Sequence, residues 1–341
     1  MIRVIVVDDS AYNRISIAKM LESNPKIKVI DTASTGEEAI QKIVRLKPDV
    51  ITLDLEMDPM DGFAVLRWIN LNFPTPVVIV SSKSSDRNIF KALEMGAVDF
   101  VSKPTGRASP ALQKMEGELI LKVLNASKAN IHKREEQKEE ILPAPEPITK
   151  KNFEVLLIGA STGGPPVLQK IFSSMPKLPI PVVIAQHMPP VFTALFAERL
   201  SKISQMQFKE AQMGEEIIPG KVYIAPGGMH TVLDKKENKV FTNLIEKRED
   251  ELYCPSVNVL FESALKIFKE KIIAVLLTGM GDDGAEGLLK IRKEGGFTIA
   301  ESEDTAIIFG MPGEAVRLNA VERVLPSWQI PSFIIELLQK K

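Results

Sequence analysis

The chain alternates short apolar runs with amphipathic segments, and this alternation occurs twice along its 341 residues. In the first half, the apolar runs cover residues 3–7, 28–33, 49–53, 76–80 and 98–101. Near-continuous Val and Ile runs are typical of strands buried on both faces, and helical patterns such as residues 37–46 lie between them. Five rounds of strand and helix predict a doubly wound parallel sheet.

A second alternation begins at Phe153, with apolar runs at residues 154–158, 181–185, 221–225, 272–277 and 298–300. Helical patterns at residues 257–268 and 285–294 lie between runs. They predict a second doubly wound parallel α/β domain, with a small antiparallel excursion in the strand-rich region 221–244.

A charged, proline-rich segment separates the two halves. Residues 128–151 read KANIHKREEQKEEILPAPEPITKK, which has few core residues and includes Pro143, Pro145 and Pro147. This composition is typical of a helix tail followed by a stiffened linker. We therefore expect one domain at residues 1–125, a linker at 126–152 and a second domain at 153–341.

The composition limits the class of protein. Lys plus Arg number 43 and Asp plus Glu 44, so net charge gives no reason to expect nucleic acid or an acidic membrane surface as a partner. The single cysteine, Cys254, cannot form an intrachain disulfide. No apolar stretch reaches the roughly 18 residues of a spanning helix, and the first strand follows no separate leader. We expect a cytoplasmic protein without membrane insertion.

Polar residues interrupt the apolar runs of the first half at their ends. Asp8 and Asp9 end the first run, Asp54 the third, Ser81 the fourth and Lys103 the fifth. In a parallel sheet these ends share one edge, where three carboxylates would favour a cation such as Mg²⁺. A carboxylate there can form an aspartyl-phosphate, and Lys103 and Ser81 could bind its oxygens. Each residue taken singly could equally be a strand-end or capping residue.

The second half repeats this arrangement with different chemistry. Ser161 follows the first run in VLLIGASTGG, His187 follows the second in PVVIAQHMPP, and Asp283 lies after the fourth in LLTGMGDDGAEGL. A serine hydroxyl needs a base, and that base needs an orienting acid. Of the three histidines, His132 lies in the linker and His187 is better placed than His230.

Alternatives exist for two of these features. A glycine-rich turn such as GASTGG can also cradle phosphate, although it lacks the lysine of a P-loop and the spacing of a dinucleotide fingerprint. His230 follows two glycines, so it either lines a substrate groove or lies in a surface loop.

The first half resembles the response-regulator receiver family. The matching stretches are VVDDS (6–10), DVITLDLEM (49–57), MDG (60–62), VSS (80–82) and GAVDFVSKP (96–104). The resemblance implies a flavodoxin-like fold, Asp54 as phosphoacceptor, Mg²⁺ held by Asp8, Asp9 and Asp54, and phosphate sensing by Ser81 and Lys103. One departure is Asp58, where the family usually has proline; here proline is the next residue, Pro59.

The second half resembles the catalytic domain of the chemotaxis protein-glutamate methylesterases, through GASTGG, QHMPP, IAPGGMH, PSVNVLFESA, LTGMGDDG and FGMPGEA. The resemblance implies ester hydrolysis and glutamine deamidation on chemotaxis receptors, without a cofactor in this domain. It also implies Ser161 as nucleophile, His187 as base, Asp283 rather than Asp282 as orienting acid, and the Met280 amide as an oxyanion donor.

The same resemblance implies a chemotaxis histidine kinase as phosphodonor and phosphorylation-activated hydrolysis. Cys254 and Asn258 depart from the family, which commonly has Arg and Asp there, so they bear on substrate detail. The sequence disfavours two other functions. A non-enzymatic regulator would not need a serine, a base and an acid together, and a DNA-binding regulator would need a basic recognition helix that the second half lacks.

Overall fold

The computed structural model describes residues 1–81, 86–103, 109–129, 152–248 and 251–339. The chain divides into two compact units, Met1–His132 and Lys133–Lys341. Most of the expected linker (residues 130–151), Ser82 and Pro104 lie outside the described residues. The three-part division of the sequence stays a prediction.

The first unit follows the order of elements that the apolar runs predict. Its strands are β1 (Ile2–Val7), β2 (Ile27–Ala33), β3 (Val50–Leu53), β4 (Val77–Ser81) and β5 (Asp99–Ser102). Its helices are α1 (Ala11–Glu22), α2 (Gly36–Leu46), α3 (Gly62–Asn72), α4 (Asp86–Glu94) and α5 (Ser109–Ala126). The predicted apolar runs differ from β1, β2 and β3 by one residue at the start, and from β4 and β5 by one residue at each end.

The strands of this unit form a parallel sheet in the order β2-β1-β3-β4-β5. This is the flavodoxin-like order, so the predicted fold class is confirmed for the first unit. Because β1, β3, β4 and β5 are consecutive neighbours, their carboxyl ends bring the predicted acidic, serine and lysine positions to one edge.

Helix α2 shows how local sequence sets these elements. Thr35 caps its first turn by accepting a hydrogen bond from the Glu38 amide at 3.2 Å. Ala39 and Ile43, four residues apart, are fully buried and form the face that packs on the sheet. The helix ends at Leu46, and the next residue, Lys47, adopts a left-handed conformation.

The second unit has a longer alternation. Its strands are β6 (Val155–Ala160), β7 (Val182–Gln186), β8 (Gln207–Glu210), β9 (Glu215–Glu216), β10 (Lys221–Ile224), β11 (Met229–Lys236), β12 (Lys239–Glu246), β13 (Ile272–Leu276), β14 (Phe297–Glu301) and β15 (Arg323–Leu325). Its helices are α6 (Gly164–Ser174), α7 (Phe192–Ile203), α8 (Val257–Phe268), α9 (Ala285–Lys293), α10 (Met311–Arg317) and α11 (Ile330–Gln339). Within the described part of the chain, no helix has the length and apolar character needed to cross a membrane.

The main sheet of this unit is parallel, in the order β15-β14-β13-β6-β7-β10-β8. A separate sheet, β11-β12-β9, is antiparallel. The predicted parallel α/β fold with a small antiparallel excursion is therefore confirmed. The expectation that the whole region 221–244 is antiparallel is wrong for β10, which pairs in parallel with β7 because Val222, Tyr223 and Ile224 are all fully buried.

The order of the main sheet locates its binding edge. The chain runs from β6 outward to β7 on one side, and it returns on the other side of β6 through β13 and β14. The boundary between β6 and β13 is thus a topological switch point, where crevices open at the carboxyl ends of parallel strands. Ser161 follows β6 directly at this point.

Candidate functional site

The structure brings the three predicted catalytic residues into one row. The Oγ atom of Ser161 lies 3.1 Å from Nδ1 of His187, and Nε2 of the same ring lies 2.8 Å from Oδ2 of Asp283. A carboxylate only accepts hydrogen bonds, so Nε2 carries the proton and donates it. Nδ1 is then unprotonated and can accept the hydroxyl proton of Ser161.

The ring of His187 faces the serine in the opposite sense to chymotrypsin-type triads. There Nε2 faces the serine and Nδ1 faces the aspartate. In this chain Nδ1 faces Ser161 and Nε2 faces Asp283. Both ring nitrogens can take part in proton transfer, so the reversal keeps the same acid–base capacity.

Asp283 is held by the first residues of helix α8. Its Oδ1 accepts hydrogen bonds from Ser256 Oγ and the Asn258 amide, both at 2.9 Å, and its Oδ2 accepts one from the Val257 amide at 2.7 Å. A helix N-terminus favours negative charge. Burial acts to raise the pKa of Asp283, but the bonds from His187 and from these amides outweigh it and lower the pKa. Asp283 therefore stays ionised beside the imidazole, whereas Asp282 is exposed.

Tyr253 packs against the ring of His187. Its ring lies parallel to the His187 imidazole, with centroids 4.8 Å apart and an interplanar angle of 9°. Burial, followed by the charges of Asp282 and Asp283, raises the pKa of Tyr253, so the phenol stays neutral. Tyr253 is not among the residues predicted from the sequence, where its only signal is an aromatic residue shortly before the PSV segment.

The backbone at Gly279 lies directly against Ser161. A Cβ added at Gly279 would lie 2.6 Å from Cβ of Ser161 and 2.3 Å from Sδ of Met311. Only glycine permits this approach. The next residue is Met280, whose amide the family resemblance implies as an oxyanion donor, and it therefore follows a segment in contact with Ser161.

Two further buried polar residues position the turn that carries Ser161. Gln186, at the end of β7, donates from Nε2 to the carbonyl oxygens of Ser161 at 2.9 Å and His187 at 3.1 Å. The Ser161 amide donates to the carbonyl of Thr278 at 3.0 Å. Neither contact is predicted from the sequence, although Gln186 is recognisable there as a polar residue that ends a buried run.

Glu301 lies behind this turn and is fully buried. Its carboxyl accepts hydrogen bonds from the Thr278 amide and the Thr305 hydroxyl, each at 2.8 Å. Burial raises the pKa of Glu301 to about 7, despite these bonds and the charge of Lys170. This buried acid was not identified from sequence because it reads as the last residue of a strand.

His230 is neither a groove residue nor a surface residue, and both sequence-based alternatives are wrong. It lies in β11 and is fully buried, because β11 packs against helix α8. Its Nδ1 accepts a hydrogen bond from the Ser256 amide at 3.0 Å, and its Nε2 lies 2.8 Å from Glu251 Oε2.

The two departures from the family pattern lie near the same segment. Asn258 accepts a hydrogen bond from the Gly287 amide at 2.7 Å, so its side chain caps the first turn of α9. An Asp at this position could accept the same bond. Cys254 is half-buried beside Tyr253 in the sequence.

The acidic residues of the first unit also converge. Carboxylate oxygens of Asp8, Asp9 and Asp54 lie within 4.8 Å of one another. The Lys103 ammonium lies 2.7 Å from Asp8 Oδ2 and forms a close ion pair with Asp54. Ser81 is the last residue of β4 and is fully buried. Its carbonyl oxygen accepts a hydrogen bond from the Lys103 amide at 2.8 Å.

Asp54 is buried and lies beside both a cation and another carboxylate. Burial raises its pKa, and the Lys103 ammonium offsets only part of that effect. Burial acts to lower the pKa of Lys103, but Asp54 and Asp8 raise it overall, so the lysine keeps its charge. Within the described residues, the hydroxyl of Ser81 has no hydrogen-bond partner. An all-oxygen cluster beside one cation suits a hard divalent metal ion.

Each of the two units matches a family of known proteins. Residues 156–334 match the family model described as CheB methylesterase, and residues 4–114 match the response regulator receiver domain. A protein-glutamate methylesterase/protein-glutamine glutaminase of Geobacter sulfurreducens is 43% identical, covering 95% of this chain and 94% of its own. That of Myxococcus xanthus is 41% identical, covering 100% of this chain and 98% of its own.

A solved structure supports the second unit. The crystal structure of the Thermotoga maritima CheB methylesterase catalytic domain is 43% identical, covers 54% of this chain and 98% of its own, and superposes with a TM-score of 0.53. The matches extend over nearly the whole chain and include both units in the same order. This chain therefore belongs to the protein-glutamate methylesterase/protein-glutamine glutaminase family, with a receiver domain ahead of the methylesterase domain.

Proposed function

We propose that this chain is a phosphorylation-activated hydrolase that removes methyl esters from glutamates, and deamidates glutamines, on the helices of chemotaxis receptors. The row of contacts from Ser161 through His187 to Asp283 carries this proposal. Family membership supports the substrate class, because the relatives are named for glutamate methyl ester and glutamine chemistry.

The first half of the reaction forms an acyl-enzyme. Ser161 Oγ attacks the ester carbonyl carbon while its proton passes to Nδ1 of His187. The carbonyl oxygen becomes an oxyanion, and the Met280 amide stabilises it by donating a hydrogen bond. The imidazolium then gives its proton to the leaving methoxy oxygen, and methanol departs. The ionised Asp283 stabilises the transient imidazolium.

The second half returns the enzyme to its starting state. Water attacks the acyl carbon and passes its proton to His187 Nδ1, and the imidazolium returns a proton to Ser161 Oγ as the C–O bond breaks. The product is a free glutamate carboxylate. With a glutamine substrate, the same steps release ammonia instead of methanol.

The receiver unit supplies control. Asp54 accepts a phosphoryl group from a chemotaxis histidine kinase, and Lys103 and Ser81 bind its oxygens. Asp8, Asp9 and Asp54 would hold Mg²⁺, which neutralises charge on the phosphoryl group when bound. The acidic cluster, with Lys103 beside it, supports this assignment. The receptors are acted on from the cytoplasm, without insertion of this chain in the membrane.

The test measures methanol release from methylated receptor membranes. Ser161→Ala should abolish release while leaving the thermal unfolding midpoint unchanged, and a fluorophosphonate probe should label wild-type protein only at Ser161. His187→Ala should lose a comparable factor, because members of a triad act as a unit. Normal release from folded Ser161→Ala protein would refute the assignment.

A further inference from the structure

Behind the catalytic row lies a buried histidine that does not touch it. His230 is fully buried in β11, where it pairs with Ile245 of β12. Its two ring nitrogens contact two different parts of the segment that leads into helix α8: Glu251 near its start and Ser256 at the helix cap. A buried polar side chain needs hydrogen-bond partners. Here the partners also determine which ring nitrogen carries the proton and which part of the chain the ring holds in place.

The hydrogen-bond partners fix the tautomer of His230. An amide N–H can only donate, so Nδ1, which receives the Ser256 amide at 3.0 Å, is unprotonated. Nε2 therefore carries the proton and donates to Glu251 Oε2 at 2.8 Å. The same Glu251 oxygen accepts a hydrogen bond from the Arg248 amide at 2.8 Å, which holds the carboxylate in place.

Ser256 connects this histidine to the catalytic acid. It is the N-cap of α8, and its hydroxyl donates to Asp283 Oδ1 at 2.9 Å while receiving the Val259 amide at 3.3 Å. The two residues after it, Val257 and Asn258, donate their amides to the same carboxylate. The conformation of Ser256 therefore sets the direction of three of the four hydrogen bonds that hold Asp283.

We propose that His230 is a positioning residue for catalysis, which fixes the Ser256 amide so that the start of α8 holds Asp283 at the angle that orients His187. The proposal rests on the proposed hydrolase function. It predicts a loss of turnover when the acceptor at Nδ1 is removed, even though His230 touches neither the substrate nor His187.

Two amide substitutions separate the two roles of the ring. In His230→Asn, the side-chain oxygen can take the place of Nδ1 and accept from Ser256. In His230→Gln, the amide nitrogen can take the place of Nε2 and donate to Glu251, but Ser256 loses its acceptor. We expect kcat to fall tenfold or more in His230→Gln, with KM changed by less than twofold. His230→Asn should recover most of the lost kcat.

A spectroscopic readout accompanies the kinetics. The proton between His187 Nε2 and Asp283 should give a downfield ¹H resonance that persists in His230→Asn and shifts or broadens in His230→Gln. A role limited to stability would instead lower the unfolding midpoint of both variants and leave this resonance and kcat in place. That result, or equal loss of kcat in both folded variants, would overturn the proposal.

A variant at the other end of the contact covers the case in which His230→Gln does not fold. Glu251→Ala removes the acceptor that orients the imidazole, so the ring can turn away from the Ser256 amide, and kcat should fall severalfold at unchanged KM. Glu251→Gln, which keeps an accepting oxygen, is the matched control. Unchanged kcat in folded Glu251→Ala would refute the proposal. Ser161→Ala in the same assay distinguishes this failure from failure of the proposed hydrolase function. Methanol release by the Ser161→Ala protein persists only if the hydrolase assignment is wrong.

Discussion

The imidazole of His187 lies flat on the ring of Tyr253, with centroids 4.8 Å apart and planes 9° from parallel. The proposed mechanism places a proton on that imidazole in each half of the reaction. The face of an aromatic ring attracts a cation, so the contact becomes stronger when His187 is protonated. An interaction that strengthens in the transition state raises kcat and not merely affinity.

Tyr253→Phe should therefore keep most of the activity, and Tyr253→Ala should lower kcat by about two- to twelvefold, which corresponds to the roughly 0.5–1.5 kcal/mol of an aromatic pair. Methanol release at saturating substrate measures the effect. Equal activity of the alanine and phenylalanine variants would show that the ring face does not contribute.

Asp283 and its neighbour Asp282 offer a matched pair of substitutions. Asp283→Asn would present an amide N–H to Nε2 of His187, which favours the wrong tautomer, so turnover should fall by up to about four decades. Asp282 is exposed, and Asp282→Asn should leave turnover within about twofold. The same methanol assay ranks the two variants, and the reverse ranking would contradict the assignment of the orienting acid.

Phosphorylation of Asp54 should raise hydrolysis in the full-length chain. Acetyl phosphate with Mg²⁺ should increase methanol release by about fivefold or more, the scale of a typical coupling between sites. Asp54→Asn should abolish the increase, and EDTA should do the same to the wild-type protein. Asp58→Asn removes a nearby exposed acid outside the cluster and should retain the increase. Stimulation that survives in Asp54→Asn would show that another residue is the switch.

The positions of Ser161, His187 and Asp283 could be expected from sequence because each follows a buried apolar run. Chain order within a parallel sheet then brings such residues to one edge. Tyr253 and Ser256 could not be found in this way. They lie in the segment that leads into α8, and their contacts with residues 26 or more positions away depend on how that segment and the helix pack.

His230 shows the opposite failure. The two glycines before it favour a turn, and on that basis an exposed or groove position was expected. The turn is present, but β11 begins at Met229 and its pairing with β12 carries His230 into the core. Local turn signals do not reveal which side of the following strand is covered.

Val191 combines an exposed side chain with an unfavourable backbone conformation. It precedes α7 with φ 76° and ψ −43°, a region that β-branched residues rarely adopt. Its side chain is 59% exposed, so little packing is lost by removing it. Val191→Gly should raise the free energy of unfolding by about 1 kcal/mol. The relief of backbone strain in the folded state contributes more free energy than is lost through the greater conformational entropy of the unfolded glycine variant.

Urea unfolding measures this effect, and Val316→Gly is the matched control. Val316 is also exposed but lies within helix α10, where glycine should destabilise by about 0.5 kcal/mol. If both substitutions destabilise the protein, the conformation of Val191 is not strained in solution.

Glu301 should make stability depend on pH near neutrality. Burial raises its pKa from 4.5 to about 7 in the folded state, and in the unfolded chain the ordinary value returns. Between these values the folded state holds a proton that the unfolded state has released. The free energy of unfolding therefore falls as pH rises from about 4.5 to 7, by about 3 kcal/mol in total.

Glu301→Gln removes this titration while keeping an oxygen that can accept from the Thr278 amide. The unfolding free energy of the variant minus that of wild type should therefore increase by about 3 kcal/mol from pH 4.5 to pH 8. Urea unfolding at each pH measures both values. Glu314→Gln is the control, because the Arg317 hydrogen bond lowers the pKa of Glu314. Its stabilising contribution is present above the unfolded pKa and is lost only as pH falls below that value, so the difference between Glu314→Gln and wild type should stay nearly constant from pH 4.5 to pH 8. A Glu301→Gln difference that is the same at both pH values would show that Glu301 does not titrate in this window.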